Sequence, residues 1–452
     1  MPSDRFDETG LRYRPDMDQD AGSPGDPGPE LGPDEMLPGI GFPADDDIFT
    51  DNLRFGDLDD WNRSAVALHV EHDGIYRIDR KGFPPILAIL DHAAVLDVER
   101  QPDLFTNGPA PVLTTQEALD TPPLVELKTL IHMDGDEHTA YRKLGLPQFK
   151  PASLSRLEGR LDELSARALT TLRDAGGEID FSVDVALPYP LQVILKILGL
   201  PEEDYPRMMT LTQQLFGGED PDLQREELTP EAIAAVLMDF FTYFNGITTD
   251  RRGHPTDDLA SLIANGTIGD DPLGDLETMG YYVIVATAGH DTTSSAMAGG
   301  FRALVEHPDQ LRLLQERPEL MNNAIEEMIR WTAPVRHFMR TATADTEVNG
   351  HQLAAGDMVY LSYKGANLDP KVFDDPLRFD IERPNADRQI SFGFGKHFCM
   401  GAQLARMELR SLFSRIVPMI DSVELAGTPT TSQTTFVGGH KTLPIRYTLH
   451  DG

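Results

Sequence analysis

Phe392-Gly393-Phe394-Gly395-Lys396-His397-Phe398-Cys399-Met400-Gly401 is the stretch on which the reading of this chain turns. It holds the single cysteine of 452 residues, so neither an intrachain disulfide nor a paired-cysteine zinc site is available. The residues that follow, GAQLARMELRSLFSRIV, read as a helix, which places Cys399 at a helix N-terminus. Free backbone N–H groups and the positive end of the helix dipole favour a thiolate there. An apolar, glycine-punctuated loop that presents one thiolate suits a soft metal ion. His397 lies too close to Cys399 to complete a good tetrahedral zinc site. Taken without its surroundings, a lone cysteine is most often a buried structural one.

The surroundings begin with a long apolar pattern. Asp271-Pro272 opens it and Pro308 closes it, which predicts one helix over 275–306. Its middle, YYVIVATAGHDTTSSAMAGG, is apolar nearly all round, as in a helix buried inside a large protein. Gly289 is disfavoured in a helix interior and removes bulk where something must approach, and Asp291 and Thr292 bring a carboxyl and a hydroxyl into that apolar span. Further helices are predicted at roughly 152–175, 186–198, 206–216, 229–249, 257–265, 308–315 and 318–331, and strands at 338–349, 351–361 and 434–448. ALHVEHDGIYRIDRKG, with Asp73-Gly74 as its turn, reads as a β-hairpin. Glu327 and Arg330 sit one turn apart on a helix face, as do His138 and Arg142.

The ten-residue string resembles the haem-binding signature of the cytochrome P-450 superfamily, Phe-Gly-x-Gly-x-His-x-Cys-x-Gly, at every fixed position. That resemblance implies a mainly α fold with minor β sheets, a long central helix over the cofactor, and haem b as prosthetic group. It makes Cys399 the metal ligand, with Ala288, Phe392, Gly393, His397 and Gly401 around the haem and His138, Arg142 and Arg340 beside its propionates. Asp291 and Thr292 match the family's acid–alcohol pair, which supplies protons for dioxygen cleavage. Glu327, Arg330 and Arg378 match the family's structural Glu-x-x-Arg plus Pro-x-Arg-Phe network. Family topology places Ile284, Thr287, Ala288, Val335, Arg336, Phe338, Phe436 and Val437 at the substrate, and segments 100–125 and 186–250 at its entrance. Where the family often has Asp-Pro-Pro, this chain has Asp134-Gly135-Asp136, which alters a turn and removes no ligand.

HMDGDEHTAYRKL, YPLQVILKILGLPEED and AGHDTTSSAMAGG look most similar to the monoterpene-alcohol hydroxylase group, whose relatives take small terpenes and aromatic hydrocarbons. The implied activity is a monooxygenase fed by a ferredoxin-type donor, with a peroxide-driven peroxygenase or a non-catalytic haem sensor as the alternatives. An intact Asp291-Thr292 pair disfavours both. Lys396, Arg406 and Arg410 cluster around the cysteine loop and are the expected docking site for the donor.

Composition agrees with that picture. Against 39 Lys and Arg stand 74 Asp and Glu, a formal net charge of −35, which argues against nucleic acid as a partner. No apolar run reaches the ~18–20 residues of a membrane span, and the N-terminus lacks signal-peptide features. A cytoplasmic monomer is expected. Residues 1–50 hold 13 Asp/Glu, 3 Lys/Arg, 8 Pro and 7 Gly, so roughly 1–45 reads as a flexible acidic arm before one catalytic domain over 46–452.

Overall fold

A computed structural model of the chain describes residues 47–121, 127–216, 220, 222 and 230–450; the arm expected over 1–45 lies outside them. In chain order the principal helices are α1 (Leu58–His72), α2 (His92–Glu99), α3 (Gly135–Gly145), α4 (Glu158–Ala175), α5 (Pro188–Leu198), α6 (Tyr205–Phe216) and α7 (Pro230–Gly253). They continue with α8 (Leu259–Ala264), α9 (Asp275–Ala288), α10 (Asp291–Glu306), α11 (Pro308–Glu316), α12 (Met321–Thr332) and α13 (Ala402–Ile416). The strands that matter here are β1 (Ile75–Ile78), β2 (Ile86–Ile89), β3 (Phe105–Thr106), β4 (Glu178–Asp180), β5 (His337–Ala342), β6 (Met358–Ser362), β7 (Ile420–Leu425) and β8 (Pro444–Leu449).

Five strands form the main sheet in the order β1-β2-β6-β5-β3, with β6 parallel to β2 and antiparallel to β5. Side chains alternate across its faces, as the two-residue period of a strand requires. Ile86, Ala88, Met358 and Tyr360 pack with Trp61 of α1, whereas Leu87, Ile89, Val359 and Leu361 pack with Val95 and Val98 of α2. A smaller sheet, β7-β8-β4, closes the C-terminal end. The largest core is helical, built where α4, α5, α7, α9, α10, α12 and α13 bury their apolar stripes together.

Two expected elements differ. The hairpin over Ala67–Gly82 does not form, because α1 runs on to His72. Trp61, Ala65 and Leu68 recur at helical spacing and are all buried, which outweighs the short alternation. Asp73, at φ 56°, ends α1 with its N–H on the Leu68 carbonyl, so the Asp-Gly pair is a helix stop. β1 then pairs with β2, Ile75 opposite Ile89.

The single helix expected over 275–306 is instead α9 and α10, interrupted at Gly289-His290. At Gly289 a Cβ would lie 2.2 Å from Ile194 Cδ1 of α5, so the neighbour that needs the space is a protein side chain. His290 is fully buried; its Nε2 lies 3.1 Å from the Leu187 carbonyl oxygen and its Nδ1 3.2 Å from Thr212 Oγ1 of α6. Across the break Thr292 Oγ1 donates to the Ala288 carbonyl at 2.8 Å, giving that acceptor a side-chain partner.

Candidate active site

Cys399 is held by a tight turn ahead of α13. Its amide donates to the Phe392 carbonyl at 2.9 Å, and Gly393 and Gly395 both take φ of +66°, where any other side chain is strained. A Cβ at Gly395 would also come 2.5 Å from the Glu99 carbonyl oxygen. The sulfur faces an interior cavity rather than the outer surface. Burial pushes the thiol pKa up, while the Gly401 and Ala402 amides and the Arg142 and Arg406 guanidinium groups pull it the other way. Coordination to a metal cation deprotonates such a thiol outright.

The cavity holds about 1450 Å³ of empty space, counting the part open to solvent, and its walls are mainly apolar. Ile284, Ala288 and Thr292 line it from α9 and α10, with Val335 just ahead of β5 and Phe338 within it. Five expected residues do not line it. Thr287 is buried, with its hydroxyl on the Val283 carbonyl at 2.7 Å. Phe436 stands behind the wall, edge-on to Phe338 at 5.2 Å, and Val437 bridges to Val335. Asp291 lies behind Thr292, its Oδ1 3.3 Å from His290 Nδ1. Asp291 Oδ2 has no partner among the described residues, and burial raises the carboxyl pKa against the pull of His290. Arg336 is also turned away, packed over Phe55 at 3.9 Å.

One edge of the same cavity is rich in donors: His138, Arg142, Arg340, His397 and Asn107. The His138 and His397 rings stack at 4.0 Å. Burial, with Arg142 second, lowers His138 to about 4; burial, with His138 second, lowers His397 to about 2. Both rings are therefore neutral at pH 7, and the fixed positive charges on this edge are Arg142 and Arg340. Arg142 reaches the Phe398 carbonyl and Arg340 the Glu99 carboxylate, 2.9 Å away. The Asp134-Gly135-Asp136 departure keeps its place here, because Asp134 accepts the Asn107 and Gly108 amides at 2.9 and 3.1 Å. A single sulfur ligand, apolar walls and a cationic rim fit haem, a flat apolar ring with iron at its centre and two carboxylates on one edge.

Beneath the cysteine loop a buried ion network forms with a different third member than expected. Glu327 and Arg330 pair through 2.7 and 2.8 Å bonds, both fully buried. Arg383 completes the group at 3.2 Å from both Glu327 oxygens and also binds the carbonyls of Asp374, Asp375 and Arg378. Arg378 itself is exposed and pairs with Asp380. Arg378 lends its backbone to the network, and Arg383 lends the charge. From Arg330 the bonds run through Asn367 to Ser391, just before the glycine turn.

Of the expected docking cations, Lys396 is exposed, 3.5 Å from Asp103. Arg406 is committed inward, bonded to Glu326 at 2.5 and 2.9 Å and stacked on Phe392. Arg410 is half-buried. Exposed Arg100, over the Phe394 ring at 5.2 Å, adds a cation that the sequence reading missed. His290, Arg383, Asn107 and Glu99 were missed as well; each depends on a contact far away in sequence, and His290 alone had a signal in being flanked by the Gly and Asp of the acid–alcohol motif.

The profile of the cytochrome P-450 family matches residues 225–429. Cytochrome P-450-terp from Pseudomonas sp is 41% identical over 422 residues, covering 90% of this chain and 95% of that protein. Linalool 8-monooxygenase from Pseudomonas putida is 32% identical over 371 residues, covering 79% of this chain and 88% of that protein. Among solved structures, CYP108D1 from Novosphingobium aromaticivorans superposes with a TM-score of 0.80 at 38% identity, covering 89% of this chain and 97% of its own. A Mycobacterium marinum cytochrome P-450, CYP268A2 in complex with pseudoionone, gives 0.80 at 27% identity over 89% and 99%. Among the described residues no helix is long and apolar enough to cross a membrane.

Proposed function

The chain belongs to the cytochrome P-450 family of haem-thiolate monooxygenases, and we propose that it hydroxylates a small hydrophobic substrate, a monoterpene or an aromatic hydrocarbon. Electrons come from a ferredoxin and its reductase, in the cytoplasm, to a monomeric enzyme. The observation that carries this reading is one sulfur, Cys399, facing an apolar cavity with a cationic edge. The names of two relatives, P-450-terp and linalool 8-monooxygenase, support a terpene.

Haem, when bound, supplies the dioxygen-activating chemistry. Cys399 is its ligand, and Phe392, Gly393 and Gly401 shape the ligand loop. His138, Arg142, Arg340 and His397 hold the propionates by hydrogen bonds and charge. Ile284, Ala288, Val335 and Phe338 orient the substrate and exclude water. Thr292 holds a proton at Oγ1, and Asp291 is its source, kept protonatable by its burial beside His290. The balance is one C–H bond, one dioxygen, two electrons and two protons giving an alcohol and water. The donor docks over the cysteine loop, where exposed Lys396 and Arg100, with Arg410, oppose the acidic surface elsewhere.

The test is optical. Purified protein is reduced with dithionite under carbon monoxide, and the ferric form is titrated with small terpenes and aromatics. A strongly red-shifted Soret band and a low-to-high-spin change on terpene addition are expected. An unshifted band in haem-containing protein overturns the thiolate, and with it the reaction.

A further inference from the structure

Glu99, the last residue of α2, is a buried carboxylate that none of the steps above uses. Its side chain is 1% exposed. Oε1 accepts from Arg340 Nη2 at 2.9 Å and from the Tyr363 hydroxyl at 2.5 Å. Oε2 has no hydrogen-bond partner among the described residues. Burial raises its pKa, opposed by Arg340, Tyr363 and the Phe394 amide. That amide belongs to the cysteine loop, and the Glu99 backbone carbonyl lies where the same loop can carry no Cβ, at Gly395. One residue therefore touches the loop that presents the thiolate, the rim cation Arg340, and Tyr363, which lines the cavity.

Arg340 has five N–H donors. Glu99 takes one, the Met339 carbonyl takes another at 2.8 Å, and the remaining donors are left for the cavity edge. A carboxylate fixed against a guanidinium also cancels much of its field, and in a low-dielectric interior that cancellation is felt at the neighbouring site. Burying a carboxylate is costly unless donors offset it, so two side-chain donors converging on Oε1 mark a built arrangement.

We propose that Glu99 is a positioning residue that aims Arg340 at the haem carboxylates and, by cancelling its charge, holds the reduction potential of the haem down. The inference rests on the haem-thiolate reading. Removing the negative charge leaves Arg340 uncompensated, and an uncompensated cation favours the ferrous form.

The experiment is a spectroelectrochemical titration of the holoprotein and its Glu99→Gln variant, which keeps the side-chain shape. The expected result is a tenfold shift of the ferric–ferrous equilibrium toward ferrous, ~59 mV for one electron. Glu99→Asp, which keeps the charge, should stay within threefold of wild type. Tyr363→Phe removes a donor that holds the Glu99 carboxyl in its charged form, so its potential should rise in the same direction as Glu99→Gln; this variant decides the matter if Glu99→Gln does not retain haem. An unchanged potential in Glu99→Gln, or a fall in Tyr363→Phe, overturns the proposal. The two readings fail separately: an unshifted carbon monoxide band in the wild type removes the thiolate, whereas a normal band with an unmoved potential removes Glu99.

Discussion

Replacing Arg383 by alanine should destabilise the fold by several kcal/mol, whereas the same change at Arg378 should leave stability where it was. The Arg383 side chain is 4% exposed and faces Glu327, which is fully buried. Its loss removes both 3.2 Å contacts to Glu327 and strips a donor from the Asp374, Asp375 and Arg378 carbonyls at 2.6, 3.2 and 2.7 Å. Breaking a buried pair by deleting one partner costs about 3–5 kcal/mol. Glu327 still keeps Arg330 and the Asp380 amide, so the low end applies, about 3 kcal/mol, or roughly a hundredfold in the folded-to-unfolded ratio. Arg378 is 63% exposed and pairs with Asp380 at the surface. Urea unfolding of both variants at matched haem content measures this. Haem loss should accelerate in Arg383→Ala first, because the network runs through Asn367 to Ser391 beneath the cysteine turn. Equal destabilisation by the two substitutions, or a wild-type midpoint for Arg383→Ala, refutes the assignment of the charge to Arg383.

Three further outcomes are expected. Thr292→Ala should bind substrate as before yet divert reducing equivalents to peroxide; an unchanged yield of product per NAD(P)H would count against a proton at Thr292 Oγ1. Lys396→Glu and Arg410→Glu should weaken donor affinity several-fold, more so at low salt, and steady-state kinetics with a ferredoxin that show no change remove the docking face from this side. Stability should fall with acid through buried His337, which burial lowers to about 3. The unfolded imidazole titrates near 6.5, so its neutral-state contribution is complete above that pH and lost as pH falls toward 3, at ~1.4 kcal/mol per pH unit. His337→Gln should flatten the urea midpoint between pH 7 and 5, and an identical slope in both proteins would show that other groups carry the effect.

The helices and the cysteine loop were legible because both rest on local pattern. Apolar periodicity marks α4 to α12 within a few residues, and the six fixed positions around Cys399 lie inside ten. What sequence did not show depends on packing. Asp73-Gly74 is the same dipeptide whether it turns a hairpin or stops a helix, and Trp61 and Ala65, several residues upstream, decide which. The long helix breaks because Ile194 and Thr212, from two other helices, occupy the space and the hydrogen bonds at Gly289 and His290. Arg378 and Arg383 are five residues apart in one loop, and which guanidinium turns inward is settled by three carbonyls rather than by the local motif. Phe436 meets Phe338 edge-on and Val437 pairs with Val335 without joining the cavity lining, a placement that no spacing records.

The contact between Ile194 and Gly289 has a practical meaning for anyone reshaping this enzyme. Gly289 is on the cavity wall, and an engineer seeking a smaller pocket would naturally enlarge it. A Cβ at that position lands 2.2 Å from Ile194 Cδ1 and 2.8 Å from its Cγ1, so a library that randomises cavity positions one at a time should return glycine there in every survivor. Codon 289 opens once codon 194 is trimmed to alanine in the same clone, since valine would keep a γ-carbon in the way. The two positions are a paired design variable, and their productive combinations lie outside any single-site search.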